Sequence, residues 1–492
     1  MVTLPRIIQG GMGVGVSNWR LARAVSSIGQ LGVVSGTALD QVFVRRLADG
    51  DLGGHMRRAL DAFPFQEMAR RLWNEYFVSG GKAAGAPYRA TLMHQLREPR
   101  KLIELCMAAN FAEVFLAREG HKNPVGINYL EKVQLPHLAS IYGAMLAGVG
   151  YVLMGAGIPL HIPGVLDALA QQVASEYKVT VTGAVAGLGE DAIMRLDPAE
   201  YAEGPLTPLM RPRFVAIVSS HTLAATLLRR ANGTVDGFVV EGPTAGGHNA
   251  PPRGKLQLNE TGEPLYGERD IVDAAAFRAL GVPFWLAGGY GSRAKLEEAL
   301  SEGAAGVQVG TAFAFSRESG LREDLKSRLL AQAGEGTAQV FTDPLASPTG
   351  FPFKVAQLEG SLSDAETYAK RTRVCDLGFL REPYAQEDGK IGYRCSAEPV
   401  DSYTSKGGLV EATEGRKCLC NALLSNIGLA QVRANGALEA PLVTLGNDLN
   451  IVRRFLPAGG TSYGAADVVR TILGQREEAR VENEELKFSS MT

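Results

Sequence analysis

Short apolar runs, each followed by a glycine-containing turn and a stretch with helical spacing, recur along the first two thirds of the chain. Apolar runs of this kind predict buried strands, and the helical stretches between them predict crossover connections. The pattern predicts an α/β protein, a (β/α)8 TIM barrel with about eight strands in roughly 320 residues, with an open doubly wound sheet as the alternative. The predicted strands cover residues 6–9, 31–35, 124–129, 151–154, 214–218, 236–241, 282–287 and 305–310, with a further candidate at 178–182.

Helices are expected between most of these strands. Ser17 is the candidate cap of the first helix, since a serine oxygen there can accept a backbone N–H from the first turn. The predicted helices cover residues 19–27, 138–148, 221–230, 271–280, 293–301 and 465–473.

Three segments break the alternation of strand and helix. Residues 40–120 are charged and helical in pattern, and residues 183–212 are irregular and acidic, so both are predicted as insertions. Beyond residue 330 the alternation fades. We therefore expect a barrel over residues 1–330 and a mostly helical extension over residues 331–492 that packs on it and ends in a charged, solvated helix.

Composition argues against several partners. The net charge is −2 and 46% of the residues are hydrophobic, so we expect no nucleic-acid partner. Residues 133–166 lack charged side chains over a membrane-spanning length, but prolines and glycines interrupt them, so we expect a buried helix and strand and no membrane. Five cysteines are too few for a disulfide framework, and the start of the chain lacks a signal-peptide pattern, so we expect a cytoplasmic protein.

Two glycine-rich turns follow neighbouring strands late in the repeat, Gly288-Gly289-Tyr290-Gly291 and Gly310-Thr311. In barrels, the loops after the last two strands commonly hold a phosphate through backbone N–H groups, which glycine allows to approach closely. Thr311 would add a hydroxyl. Tight turns without a ligand are the alternative, and the pairing of two such turns favours a phosphate site.

Residues 187–192 and 289–294 both fit a loose G-x-G-x-x-A spacing. A dinucleotide-binding loop follows the first strand of its unit and has an acidic residue about 20 positions later. Neither segment has that setting, so we interpret the second as part of a mononucleotide phosphate loop.

A third glycine-rich loop, residues 241–254, carries the candidate catalytic group, His248. Small residues flank this histidine, so its imidazole can lie open to a flat ligand and act as a general base near pH 7. A histidine that only hydrogen-bonds within its loop is the alternative. The position on a strand-end loop favours the catalytic interpretation.

The segment Ala245-Gly246-Gly247-His248 resembles the A-G-G-H signature of nitronate monooxygenases and the related flavin-dependent enoyl reductases. The resemblance covers most of residues 5–318. It implies FMN as the cofactor and His248 as the catalytic base, placed over the flavin ring. The candidate cofactor-binding residues are Gly10, Gly11, Met12, Asn128, Ser219, Gly247, Gly288, Gly289, Gly310 and Thr311.

Departures from the family pattern leave the substrate open. Thr244 stands where an acidic residue is common, and the insertions resemble those of a longer branch that includes trans-acting enoyl reductases. One possibility is oxidation of alkyl nitronates with O2. A second is reduction of enoyl thioesters or quinones with NAD(P)H as the donor and an acyl carrier protein as a candidate partner. A third is a non-catalytic barrel that binds a partner, and a homodimer is a candidate assembly.

The late cysteines lack the usual spacing of metal ligands. Cys418 and Cys420 form a C-x-C, whereas Cys375 and Cys395 are isolated. Zinc sites usually show pairs of cysteines separated by two to four residues. We therefore expect no metal, with a zinc site made by these four thiolates as the alternative.

Overall fold

The computed structural model of the chain describes residues 4–185, 192–457 and 460–475. The first dinucleotide-like segment, at 187–192, and the charged helix expected near the C-terminus lie almost entirely outside these residues. The strands are β1 (Ile7–Gln9), β2 (Gly32–Ser35), β3 (Val125–Leu130), β4 (Tyr151–Gly155), β5 (Ser175–Lys178), β6 (Ile193–Leu196), β7 (Arg213–Val218), β8 (Gly237–Glu241), β9 (Phe284–Ala287), β10 (Gly306–Val309), β11 (Val340–Asp343), β12 (Phe353–Ala356), β13 (Glu382–Ala385) and β14 (Ile391–Arg394).

The helices account for most of the remaining regular structure. They are α1 (Trp19–Ser27), α2 (Leu39–Ala48), α3 (His55–Asp61), α4 (Gln66–Tyr76), α5 (Arg100–Arg118), α6 (His137–Leu146), α7 (Ile162–Ala170), α8 (His221–Arg230), α9 (Ala274–Arg278), α10 (Arg293–Ser301), α11 (Thr311–Ala314), α12 (Glu323–Glu335), α13 (Ala365–Lys370), α14 (Val400–Ser405), α15 (Leu419–Ser425) and α16 (Ala465–Leu473). Short 3-10 turns cover Pro198–Glu200, Glu268–Asp270, Val410–Thr413 and Asn450–Phe455.

Eight parallel strands form one sheet in the order β1-β10-β9-β8-β7-β4-β3-β2. The sheet closes because Ile8 also bridges Leu31, the residue before β2. The Gln9 N–H donates to the Leu31 carbonyl at 2.9 Å, and the Leu31 N–H donates to the Ile7 carbonyl at 3.1 Å. This closure confirms the (β/α)8 barrel and excludes the open sheet. All eight barrel strands lie where the apolar runs predicted them.

Alternate strand residues fill the barrel interior, as the twofold side-chain period of a strand requires. Trp285 is the largest of them, is 1% exposed, and donates its indole N–H to the Pro5 carbonyl at 2.8 Å. The opposite faces of the strands pack against the helices in a second, larger core. The interior set is Ile8, Leu31, Val33, Tyr151, Leu153, Val215, Val239, Trp285 and Ala287.

The segment predicted as the first insertion contains α2 to α5, and α5 lies against α6 of the barrel. The approach is close at Gly143, where an added Cβ would lie 2.1 Å from the Met107 carbonyl oxygen. The second segment contains β6, which pairs antiparallel with β5, just before that segment, in a hairpin outside the barrel. The candidate strand at 178–182 is therefore wrong as a barrel strand, because its first residue ends a hairpin strand instead.

The uncharged stretch at 133–166 divides into α6, β4 and the start of α7. Within the described residues, no helix is both long and apolar enough to cross a membrane.

The C-terminal extension differs from the mostly helical expectation. It contains two antiparallel strand pairs, β11–β12 and β13–β14, beside its short helices. These strands have only four residues each, and β12 includes Lys354, which is 1% exposed and donates to the Thr342 hydroxyl at 2.6 Å. A buried lysine inside a short strand breaks the apolar pattern, so the sequence carried little local signal for this pair.

The close contact at Gly143 generates a test of how tightly the insertion packs. Gly143→Ala should lower the free energy of unfolding by about 2 kcal/mol, because the added methyl forces α5 and α6 apart. Gly334→Ala is the matched control, since Gly334 also lies in a helix but has no atom within 4 Å of an added Cβ. It should stabilise the protein by up to about 1 kcal/mol through helix propensity alone. Urea unfolding measures both, and equal effects would contradict close packing of the insertion.

Candidate functional site

A cavity of about 900 Å3, part of it open to solvent, lies at the carboxyl ends of the barrel strands, where ligand sites of this fold occur. Loops after β1, β9 and β10 meet there with residues of β3 and β8 and with part of the extension. Nine of the ten predicted cofactor-binding residues line this first cavity, and Ser219 does not. The nine are Gly10, Gly11, Met12, Asn128, Gly247, Gly288, Gly289, Gly310 and Thr311.

The loop after β1 is held by Ser17. Its Oγ accepts the Met12 N–H at 2.9 Å and donates to the Gly10 carbonyl at 2.9 Å. The helix cap predicted at Ser17 is wrong, since Asn18 caps α1 by accepting the Leu21 N–H. Ser17 instead fixes the loop that borders the cavity.

Asn128 and Gly11 meet at the wall formed by β3. An added Cβ on Gly11 would lie 2.4 Å from the Asn128 Cβ, so only glycine fits at this position of the loop. Asn128 donates its side-chain amide to the Tyr129 carbonyl at 2.9 Å. Two residues predicted separately to bind the cofactor are therefore in direct packing contact.

The two predicted phosphate loops lie side by side because β9 and β10 are neighbours in the sheet. Gly288 and Gly289 have φ of +92° and +81°, a conformation that favours glycine. The backbone N–H groups of Gly289, Tyr290 and Thr311 find no acceptor among the described residues. These loops therefore present free donors to the cavity, as an anionic group requires.

The extension completes the cavity wall. The Thr444 hydroxyl oxygen accepts the Gly247 N–H at 3.0 Å, and the Gly446 N–H donates to the Thr311 hydroxyl oxygen at 2.9 Å. Because the Thr311 hydroxyl oxygen acts as the acceptor in this bond, its O–H remains available to donate to a ligand in the cavity. The sequence did not indicate Thr444, Leu445, Gly446, Asp448 or Ile451 as site residues, because nothing in their local pattern marks a segment that folds back onto the barrel.

His248 lines a second cavity that adjoins the first, together with Ser219. Its Nε2 lies 2.7 Å from the Ser347 Oγ, and its ring packs edge-on against Phe353. Burial lowers the pKa of His248 to about 4, so the imidazole is neutral near pH 7. The structure thus places the candidate base one residue beyond the wall of the first cavity, which Gly247 lines, and not inside it.

Glu241 lines both cavities and is the residue that joins them. Burial raises its pKa to about 7, so the carboxyl retains a proton well above the usual range. The Gln308 side-chain amide lies 3.5 Å from it, and the other end of that amide, Gln308 Oε1, has no partner within the described residues. We did not single out Glu241 from the sequence, although an acidic residue that ends a buried strand before a glycine-rich loop was a usable signal.

The four late cysteines line one small apolar cavity in the extension. All are free thiols. Among the described residues no three of them bring their sulfurs within 4.8 Å of one another, whereas one other cluster meets that criterion. These cysteines therefore lie near one another, but no three of their sulfurs are close enough to share one metal ion. The cysteines are Cys375, Cys395, Cys418 and Cys420.

Residues 201–345 match the family model for nitronate monooxygenase. Over this segment, less than a third of its length, the chain is similar to that family. The matched segment contains β7 to β10, the His248 loop and both predicted phosphate loops.

Two curated relatives are similar to parts of the chain. A probable nitronate monooxygenase of Bacillus subtilis is 35% identical over 126 residues, which are 26% of this chain and 34% of that protein. A (3aS,4S,5R,7aS)-5-hydroxy-7a-methyl-1-oxo-octahydro-1H-indene-4-carboxyl-CoA dehydrogenase of Mycobacterium tuberculosis is 27% identical over 211 residues, 40% of this chain and 56% of that protein. The chain thus spans between a third and somewhat over half of the length of these relatives.

Two solved structures are also similar. A nitroalkane oxidase from Streptomyces ansochromogenes is 15% identical with a TM-score of 0.47, covering 97% of each chain. FabK from Thermotoga maritima is 16% identical with a TM-score of 0.45, covering 98% of this chain and 96% of that one. These likenesses are too distant to carry an activity to this chain.

The raised pKa of Glu241 predicts a pH-dependent stability. Between pH 4.5 and about 7 the folded chain keeps a proton on Glu241 that the unfolded chain has released, so this group makes the fold less stable as the pH rises through that window. Glu241→Gln removes the loss. We expect the free energy of unfolding of the variant to exceed that of the wild type by up to about 3 kcal/mol above pH 7. The difference should shrink towards pH 5.

Urea unfolding at pH 5 and pH 8 measures this difference. Glu260→Gln, at an exposed glutamate outside both cavities, is the control and should change stability equally at the two pH values. If the Glu241→Gln difference is also the same at both, the protonated carboxyl is absent.

Proposed function

We propose that the chain is an FMN-dependent oxidoreductase that oxidises alkyl nitronates with O2. One observation carries the proposal: the loops after β1, β9 and β10 and Asn128 border one cavity, and Glu241 joins it to a second cavity that contains His248. The first cavity would hold the cofactor and the second the substrate.

The residues of the first cavity fit FMN. The free N–H groups of Gly289, Tyr290 and Thr311 suit the phosphate, and left-handed Gly288 and Gly289 keep that side free of Cβ atoms. The unpartnered Gln308 Oε1 is an acceptor for a ring N–H of the flavin. When bound, FMN would supply the two-electron chemistry between the substrate and O2.

The chain's own residues would handle the protons. His248 is neutral near pH 7, so it can accept the proton beside the nitro group or orient a nitronate that is already ionised. Ser347 fixes the imidazole through Nε2. Glu241 still holds a proton near pH 7 and can donate it at the boundary between the two cavities. Two titratable groups with pKa values shifted in opposite directions are the usual arrangement of an acid and a base.

The cofactor part of this proposal is tested by the purified protein's colour and by FMN titration. Gly289→Ala should weaken FMN binding by at least tenfold, because the methyl strains a left-handed residue and disturbs the phosphate donors. Gly262→Ala is the control, since Gly262 has φ +89° but lies outside both cavities. Colourless protein that also fails to bind added FMN would reject the proposal, as would equal losses in the two variants.

The role of His248 is tested by turnover. His248→Ala should lower kcat with nitronates by a factor of about 10² to 10⁴ while FMN content stays unchanged. His121→Ala, at a histidine that lines neither cavity, should leave kcat unaffected. Full activity in His248→Ala would favour an inert histidine, and a chain that turns over no substrate in any form would favour a partner-binding barrel.

An enoyl-thioester reductase is the second candidate. The second cavity, of about 820 Å3, is partly open to solvent, so a long substrate could extend out of it, and the Mycobacterium relative is named for a CoA thioester. NADH or NADPH would then be the donor, and an acyl carrier protein or CoA would carry the substrate. Rapid loss of flavin colour on anaerobic mixing with NADH or NADPH favours this reaction, whereas loss of colour only with nitronates favours the first.

A further inference from the structure

A buried cluster of metal-ligating side chains lies outside the two cavities, in the first insertion. Asp40 belongs to α2, Cys106 to α5, and His94 to the segment between α4 and α5. These three residues are 2%, 1% and 1% exposed. One carboxylate oxygen, one thiol and one imidazole nitrogen all lie within 4.8 Å of one another. No step of the proposed reaction uses them.

The spacing of the three atoms fits a tetrahedral metal. His94 Nε2 lies 3.4 Å from Asp40 Oδ2 and 3.8 Å from Cys106 Sγ. Zinc bonds of about 2.1 Å to nitrogen and oxygen and about 2.3 Å to sulfur, at tetrahedral angles, separate such atoms by about 3.4 Å and 3.6 Å. Both distances from His94 Nε2 therefore agree with a shared Zn²⁺ ion to within a few tenths of an ångström, and the Asp40 carboxylate and the Cys106 sulfur lie within 4.8 Å of each other.

The other nitrogen of His94 is already held. Its Nδ1 makes a hydrogen bond with the Glu98 carboxylate, whose side chain is 2% exposed. A zinc-bound histidine almost always donates its second N–H to a carboxylate or carbonyl, which fixes the tautomer that leaves the first nitrogen free for the metal. Glu98 would thus act as a positioning residue.

We propose that Asp40, His94 and Cys106 bind one Zn²⁺ ion that stabilises the insertion. Binding releases the Cys106 thiol proton and any proton on His94 Nε2, and forms one Zn–O, one Zn–N and one Zn–S bond. A water molecule completes the four ligands. Because all three side chains are inaccessible to a substrate, the ion is structural.

A plain ion cluster explains less of the geometry. An imidazolium between Asp40 and Glu98 would account for the two carboxylate contacts, whereas a bound ion also accounts for the Cys106 sulfur that lies 3.8 Å from the same His94 Nε2. The site also connects two parts of the chain that the sequence separates. The His94 ring packs against Phe379 of the extension, and its carbonyl accepts a hydrogen bond from Arg381 at 2.7 Å.

The experiment uses the full chain, purified under reducing conditions, stripped with EDTA and reloaded with Zn²⁺ or Co²⁺. We expect about one zinc ion per chain after desalting, and a thiolate-to-cobalt charge-transfer band in the difference spectrum against stripped protein. Cys106→Ser should abolish that band. Cys375→Ser is the matched control, because it removes a thiol of the late cysteine cluster, and it should leave the band intact.

Three results would overturn the site. They are zinc far below one ion per chain in the wild type, a band that persists in Cys106→Ser, and a band lost in Cys375→Ser. Should Cys106→Ser fail to fold, Glu98→Gln replaces it. That variant should keep the charge-transfer band and weaken zinc binding roughly 10- to 100-fold. Unchanged zinc affinity in Glu98→Gln would count against the ligand assignment of His94.

Discussion

Closure of the parallel sheet is the constraint on which the site depends. β1 hydrogen-bonds to β10 on one side and to Leu31, just before β2, on the other, so the first and last barrel strands become neighbours. Gln9 strengthens this seam from inside the barrel, because its side-chain oxygen accepts the Val33 N–H at 3.0 Å and its amide donates to Ser17. The loop after β1 and the loop after β10, which lie at opposite ends of the barrel sequence, therefore border the same cavity.

The barrel alone does not enclose that cavity. Two hydrogen bonds, from Gly247 to Thr444 and from Gly446 to Thr311, fasten the extension across the strand ends. The extension also packs tightly against Gly246, where an added Cβ would lie 2.8 Å from the Gly446 backbone nitrogen. The absence of a side chain at Gly246 thus allows the extension to pack against the barrel. The insertion packs on the barrel through α5 against α6.

Burial gives the two cavities at the strand ends titratable groups with pKa values shifted in opposite directions. Burial moves the pKa of Glu241 up and that of His248 down, so near neutral pH one group can donate a proton and the other can accept one. The pH dependences of stability that the two groups contribute have opposite signs, because within its own titration range the folded state holds an extra proton at Glu241 and one fewer at His248. Both pKa shifts depend on walls that exclude water, and part of the extension lines the first cavity that Glu241 borders.

The sequence by itself determined the barrel and most of the first cavity. Eight apolar runs marked the strands, and glycine motifs marked Gly10, Asn128, Gly289 and Thr311, because each of these signals is local and follows directly from a strand and its turn. The sequence did not predict the strand pairs of the extension, the part of the cavity wall at Thr444, or the position of Glu241 between two cavities. It also did not predict that His248 lies apart from the predicted phosphate loops, or that Asp40 lies near Cys106. These features arise from contacts between distant segments, and only the packed chain decides which side chains share a buried space and lose their water.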